Sequence, residues 1–130
     1  MSIKVIVEED CGNAPNKILL RDFKTAFVNK DLDALSNYVT NNITWQIMGE
    51  KKIKGIDNFK KYLDGMDSTT ITELELNHII TNGKSCAMEG IIRRKDRPNN
   101  SFSEVYKLRG GKNPAIKEMT SYVIEVKAES

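Results

Sequence analysis

Histidine, tryptophan and cysteine are nearly missing from this 130-residue chain, which holds one His, one Trp and two Cys. Cys11 and Cys86 stand far apart and form no CxxC pair, so buried or idle thiols are expected rather than a disulfide. One histidine with two distant cysteines is a poor ligand set, and neither a metal nor another cofactor is expected. Long apolar runs are absent as well. The longest covers a few residues, against about 20 needed to span a bilayer. Met1–Val7 carries no long apolar stretch before a small-residue cleavage site, so no secretory signal is visible and a soluble, cytoplasmic protein is expected. Nor is one sign of charge in excess: 20 basic and 18 acidic side chains leave +2. Such a balance gives no long-range field to recruit nucleic acid or an anionic membrane.

What is present suits a single domain over residues 1–130. The chain is 39% hydrophobic, enough for a real core, and 29% charged. Ile3 to Val7 alternates as a short strand, and Glu8 to Pro15 reads as a loop in which Asn13 caps a helix and Pro15 occupies its first turn. Leu19, Phe23, Ala26 and Phe27 then form one apolar helical stripe. Asp31 caps a second, shorter helix with Leu32, Leu35 and Val39 on its inner side. Ile43 to Met48 is a β-rich segment stopped by Gly49. Lys51 to Gly55 turns the chain into a third helix that buries Ile56, Phe59, Leu63 and Met66.

From Thr70 the period becomes two. Leu74, Leu76, His78 and Ile80 share one face, while Glu73, Glu75 and Asn77 share the other. Asn82-Gly83 signals a hairpin, Ser85 to Arg94 a strand, and Asp96 to Asn100 a polar turn. Phe102, Glu104, Tyr106 and Leu108 alternate in the next strand. After the turn at Gly110 to Pro114, Ile116 to Val126 forms the last one. The expectation is an α+β domain.

The stretch from Asp22 to Gly55 resembles the nuclear transport factor 2-like superfamily, which includes SnoaL-like polyketide cyclases and ketosteroid isomerases. The residues that carry the resemblance are Ala26-Phe27, Lys30 to Leu35, Val39 to Trp45, and Ile53 to Asp57. Tyr122 and the later strands fit the same plan, and residues 1–14 stand outside it as a strand and loop extension. The resemblance implies three N-terminal helices packed on a strongly curved, mainly antiparallel sheet. These would form a cone with an internal pocket, in a homodimer. It does not imply a reaction, because the fold hosts isomerases, dehydratases, cyclases and plain binding modules.

Ketosteroid isomerases use a helix-one tyrosine, a carboxylate base and a protonated acid in an oxyanion hole. By position these fall on Phe23, Ile47 and Glu104, so two of the three groups are lost and isomerase activity is not expected. Glu104 shares a strand face with Phe102, Tyr106 and Leu108, where the charged form of a lone carboxyl is disfavoured. It reads either as a general acid or donor to a ligand oxygen, or as a carboxylate held by Arg, Lys or a tyrosine hydroxyl in a structural network. His78, on the face of Leu74 and Leu76, reads as a general base or as a strand residue bonded to a neighbour. Phe23, Phe27, Trp45, Met48, Met88, Tyr106 and Tyr122 are candidate pocket residues, with core packing as the alternative for each. Arg93-Arg94-Lys95-Asp96-Arg97 reads as a solvated turn.

Three functions are compatible with these residues. The first is a binding protein for a small hydrophobic or carbonyl-bearing molecule. The second is a SnoaL-like or isomerase and dehydratase-type enzyme using Glu104 and His78. The third is a protein-interaction module. Met119, Ser121 and Val123, expected on the outer sheet face, suit a dimer contact or a partner.

Overall fold

The computed structural model describes residues 3–8 and 14–126. In chain order these form β1 (Lys4–Val7), α1 (Pro15–Val28), α2 (Leu32–Leu35), β2 (Val39–Ile47), β3 (Lys51–Lys54), α3 (Ile56–Asp64), β4 (Ile71–Asn82), β5 (Ser85–Arg94), β6 (Asn99–Arg109) and β7 (Ala115–Val126). The strands make one sheet in the order β1-β4-β5-β6-β7-β2-β3. Its two ends do not meet, so the sheet is curved but unclosed. β1 joins β4, and β2 joins β7, in parallel, while the other neighbours are antiparallel. The architecture is α+β.

α1 and α3 cover one face of this sheet. Phe23 and Phe27 of α1, Phe59 of α3 and Trp45 of β2 form an aromatic knot with ring centroids 5.0 to 6.3 Å apart. Burying side chains of this size contributes about 1.5–3 kcal/mol each, so the knot is the main tie between helices and sheet. The helix ends follow local chemistry. Pro15 opens α1 after an N-cap at Ala14, while Asn13 lies outside the described residues. Asp31 caps α2 by accepting from the Ala34 amide at 3.2 Å. α3 starts after Gly55, whose φ of 88° is open to glycine at no cost. Asp57 in its first turn and Lys61 in its last oppose the helix dipole.

Several expected details differ. Val39 begins β2 instead of ending the second helix, and it is buried there. Lys51–Lys54 is a strand paired with β2, not a turn, because Ile53 closes over Trp45 across the hairpin. Met66 lies beyond α3 and is exposed. The β4–β5 turn is Gly83-Lys84, one residue later than expected, since Asn82 still pairs with Ser85.

The largest departure is a β-bulge. Leu76 pairs with Gly90 and His78 with Glu89, which leaves Asn77 as an extra residue in β4. One inserted residue inverts the alternation beyond it. Leu74, Leu76 and Ile79 are therefore buried, while His78 and Ile80 face outward. β7 is also reversed from expectation. Met119 pairs with Tyr106 and Ser121 with Glu104, so both belong to the inner face and are buried. Tyr122 and Ile124 take the outer face.

Candidate functional site

The inner face of β6 carries Glu104, Phe102 and Asn100 at successive alternate positions, and a cavity of about 580 Å³ runs beside them. Its deep end is built from Lys24, Phe27, Trp45, Glu104 and Ser121, all buried, while exposed Met66, Arg97 and Pro98 fringe its mouth.

Glu104 is 1% exposed and its carboxylate is fully engaged. Oε1 accepts from Lys24 Nζ at 3.0 Å and from the Tyr106 hydroxyl at 2.6 Å. Oε2 accepts from Ser121 Oγ at 2.6 Å, and that hydroxyl accepts from Trp45 Nε1 at 2.8 Å. The Lys24 ammonium also lies 4.1 Å and 4.4 Å from the ring centroids of Phe27 and Phe102, in cation–π range. A buried charge pair is tolerable only when its remaining donors and acceptors are met. Here each buried side-chain nitrogen and oxygen among the described residues has at least one partner, and the Lys24 ammonium keeps donors beyond its bond to Glu104. Burial, then the charge and hydrogen bond of Glu104, push the Tyr106 phenol well above its ordinary pKa, so it stays a neutral donor.

The other expected site residues are scattered. Phe27 and Trp45 line the cavity. Phe23, Met88 and Tyr106 are buried behind it, with the Tyr106 hydroxyl 3.6 Å from Met88 Sδ. Met48 is 47% exposed at the end of β2, and Tyr122 is 47% exposed on the outer face, so neither reaches the cavity. His78 is the sharpest correction. Its side chain is 60% exposed on the outer face, paired with Glu89, and the β4 bulge is what turned it away from Glu104. Burial raises the pKa of Cys86, which suits an inert thiol. No three His, Cys, Asp or Glu side chains among the described residues converge as metal ligands do.

Three site residues escaped the sequence reading. Lys24 sits four residues after Leu20 and three before Phe27, inside the apolar stripe, and that position was the available signal. Ser121 had none, because Tyr122, Ile124 and Val126 make the opposite face of β7 the more apolar one beyond Met119. Arg94 was hidden in a basic run. Alternation along β5 separates it from Arg93, which pairs with Glu73 and Glu75, and places Arg94 in the cavity wall.

A family model for the SnoaL-like domain matches residues 20–113. This chain belongs to the SnoaL-like domain family. Solved structures similar to this SnoaL-like domain share its nuclear transport factor 2-like fold. One is an NTF-2 like protein of unknown function from Burkholderia xenovorans, 16% identical, with a TM-score of 0.72 over 88% of this chain and 86% of that one. Another, an NTF2-like protein of unknown function from Cytophaga hutchinsonii, is 23% identical, with a TM-score of 0.66 over 82% of this chain and 97% of that one. A third, from Shewanella denitrificans and provisionally designated a SnoaL-like polyketide cyclase, is 14% identical, with a TM-score of 0.71 over 85% and 92%. Among curated proteins none matches the chain. At these identities the likeness carries the fold and not the chemistry. Among the described residues no helix is long and apolar enough to cross a membrane.

Proposed function

We propose that this SnoaL-like domain is a small-molecule-binding protein whose ligand enters between α3 and the sheet. The supporting observation is a cavity of about 580 Å³ with aromatic walls that ends on a self-neutralised polar cluster. Ligand sites are mostly apolar with a few placed polar groups, and this volume falls inside their common range of about 300–1,000 Å³. The ligand's apolar body lies against Trp45, Phe27 and Phe102. A carbonyl or hydroxyl oxygen at its inner end takes a hydrogen bond from Lys24. Catalysis by Glu104 with His78 has no geometric support, since the two residues lie on opposite faces of the sheet. Glu104 has both oxygens occupied and is poorly placed to take a substrate proton.

The protein works as a cytoplasmic homodimer in this reading. The supporting surface is a row of outer-face side chains, Ile80, Ala87, Val105 and Thr120, which are consecutive cross-strand partners. Ile80, Val105, Tyr122 and Ile124 are exposed there, and apolar patches of any size seldom stay bare.

Trp45 is the chain's only tryptophan and lines the cavity, so its emission reports occupancy. Titration with 1-anilinonaphthalene-8-sulfonate is expected to change Trp45 emission saturably. Ile92→Phe, which narrows the cavity from a buried wall position, is expected to weaken that binding about tenfold. Equal binding to a folded Ile92→Phe protein would place the dye elsewhere and overturn the reading.

A further inference from the structure

Arg94 differs from the other cations around the cavity in what holds it. Lys24 faces the Glu104 carboxylate, and Arg97 faces Asp67 at 3.6 Å. Arg94 is bonded only to neutral oxygens. Its Nε donates to Asn100 Oδ1 at 2.9 Å, and its Nη1 donates to Thr70 Oγ1 at 2.8 Å and to the Asp67 carbonyl at 3.1 Å. Nη2 has no partner among the described residues. Asp67 is within electrostatic reach of it but makes no side-chain ion pair with it, facing Arg97 instead. Asp67 accepts from the amide and hydroxyl of Thr69, Glu50 accepts from Tyr62, and exposed Glu125 forms no ion pair with Arg94.

A guanidinium pinned at Nε and Nη1 has already lost most of its rotamer freedom, so a further bond at Nη2 requires little extra ordering. A half-buried cation with no hydrogen-bonded carboxylate is best completed by an anion, through a charge-assisted hydrogen bond. The strand sets the scale. Asn100, which anchors Arg94, lies four residues from Glu104, about 14 Å along β6 at the usual rise. A ligand that reaches both Arg94 and Lys24 therefore has its polar ends separated by an apolar body of about bicyclic length, on the order of 10 Å.

We propose that the ligand is an amphipathic monocarboxylic acid of about bicyclic length, with its carboxylate on Arg94 Nη2 and its other polar end at Lys24. The proposal rests on the reading of the cavity as a ligand site.

The test is calorimetric titration with 6-hydroxy-2-naphthoate and with its uncharged methyl ester. The parent protein is expected to bind the acid about tenfold or more tightly than the ester. Arg94→Gln should bring the acid down towards the ester's affinity while weakening the ester much less, and Arg94→Lys should retain part of the preference. Equal affinities for acid and ester in the parent would overturn the proposal without needing any variant. So would an Arg94→Gln protein that melts like the parent yet weakens both compounds alike. If the ester binds as well as the acid and Ile92→Phe weakens both, the cavity reading stands and only the carboxylate assignment falls. If neither compound binds, both fall together.

Discussion

Lys24 Nζ lies 3.0 Å from Glu104 Oε1, with the two side chains 2% and 1% exposed and 80 residues apart in sequence. Each charge is acceptable in the interior because the other is there. Removing one partner leaves an uncompensated buried charge and costs about 3–5 kcal/mol, whereas replacing both with apolar groups is often nearly neutral. Lys24→Met and Glu104→Leu are each expected to lose stability on that scale in urea unfolding. The Lys24→Met, Glu104→Leu double variant should be no worse than either single change. Additivity of Lys24→Met and Glu104→Leu within about 0.5 kcal/mol would show that the pair is not coupled.

Tyr106 supplies the pH dependence. Its phenol pKa is raised in the folded state, so between the unfolded value near 10 and the folded value the native protein binds one proton more than the unfolded chain. Stability from this group is complete below about pH 10 and falls as pH rises above it, by up to about 1.4 kcal/mol per pH unit. Lysines titrate in the same region, so the comparison is with Tyr106→Phe. The phenylalanine variant should be less stable at pH 8 by about 1–2 kcal/mol, from the lost bond to Glu104. The gap between the two proteins should shrink between pH 10 and 12. A gap that stays constant would contradict the assignment.

Gly90 tests the bulge. A Cβ there would stand 2.1 Å from the Glu75 carbonyl oxygen and 3.1 Å from Phe102 Cζ. The first contact is with backbone, so no side-chain rotation relieves it. Gly90→Ala is expected to destabilise by at least about 2 kcal/mol, at the upper part of the usual overpacking range. Phe102 also shifts, so ligand binding should weaken in the fraction that folds. A variant as stable as the parent would mean that the two strands are not this close.

The outer face is tested by hydrodynamics. Sedimentation of the parent should give a species of twice 14.7 kDa. Val105→Glu, at the centre of the exposed row, should give the single-chain mass without loss of helix content. A dilute parent sample showing only the 14.7 kDa species would remove the homodimer.

Much of the secondary structure could be read from periodicity alone. The apolar stripes of α1 and α3 and the two-residue alternation of β5 and β6 reflect local burial, which each segment carries in its own composition. Residues such as Phe102, Glu104 and Tyr106 were thereby assigned to one face before any partner strand was known. The sequence by itself determined that much, together with the family plan. Tertiary structure decided the rest, wherever a residue's surroundings depend on pairing between distant segments. One unpaired residue in β4, Asn77, turned His78 to the outside. Register with β6 chose which apolar face of β7 is buried, and so brought Ser121 to Glu104. Lys24 could become an interior residue only because a carboxylate 80 positions away, and two aromatic rings, met its charge. Local propensity cannot encode that pairing, because charge compensation in a low-dielectric interior depends on distance in space and not along the chain.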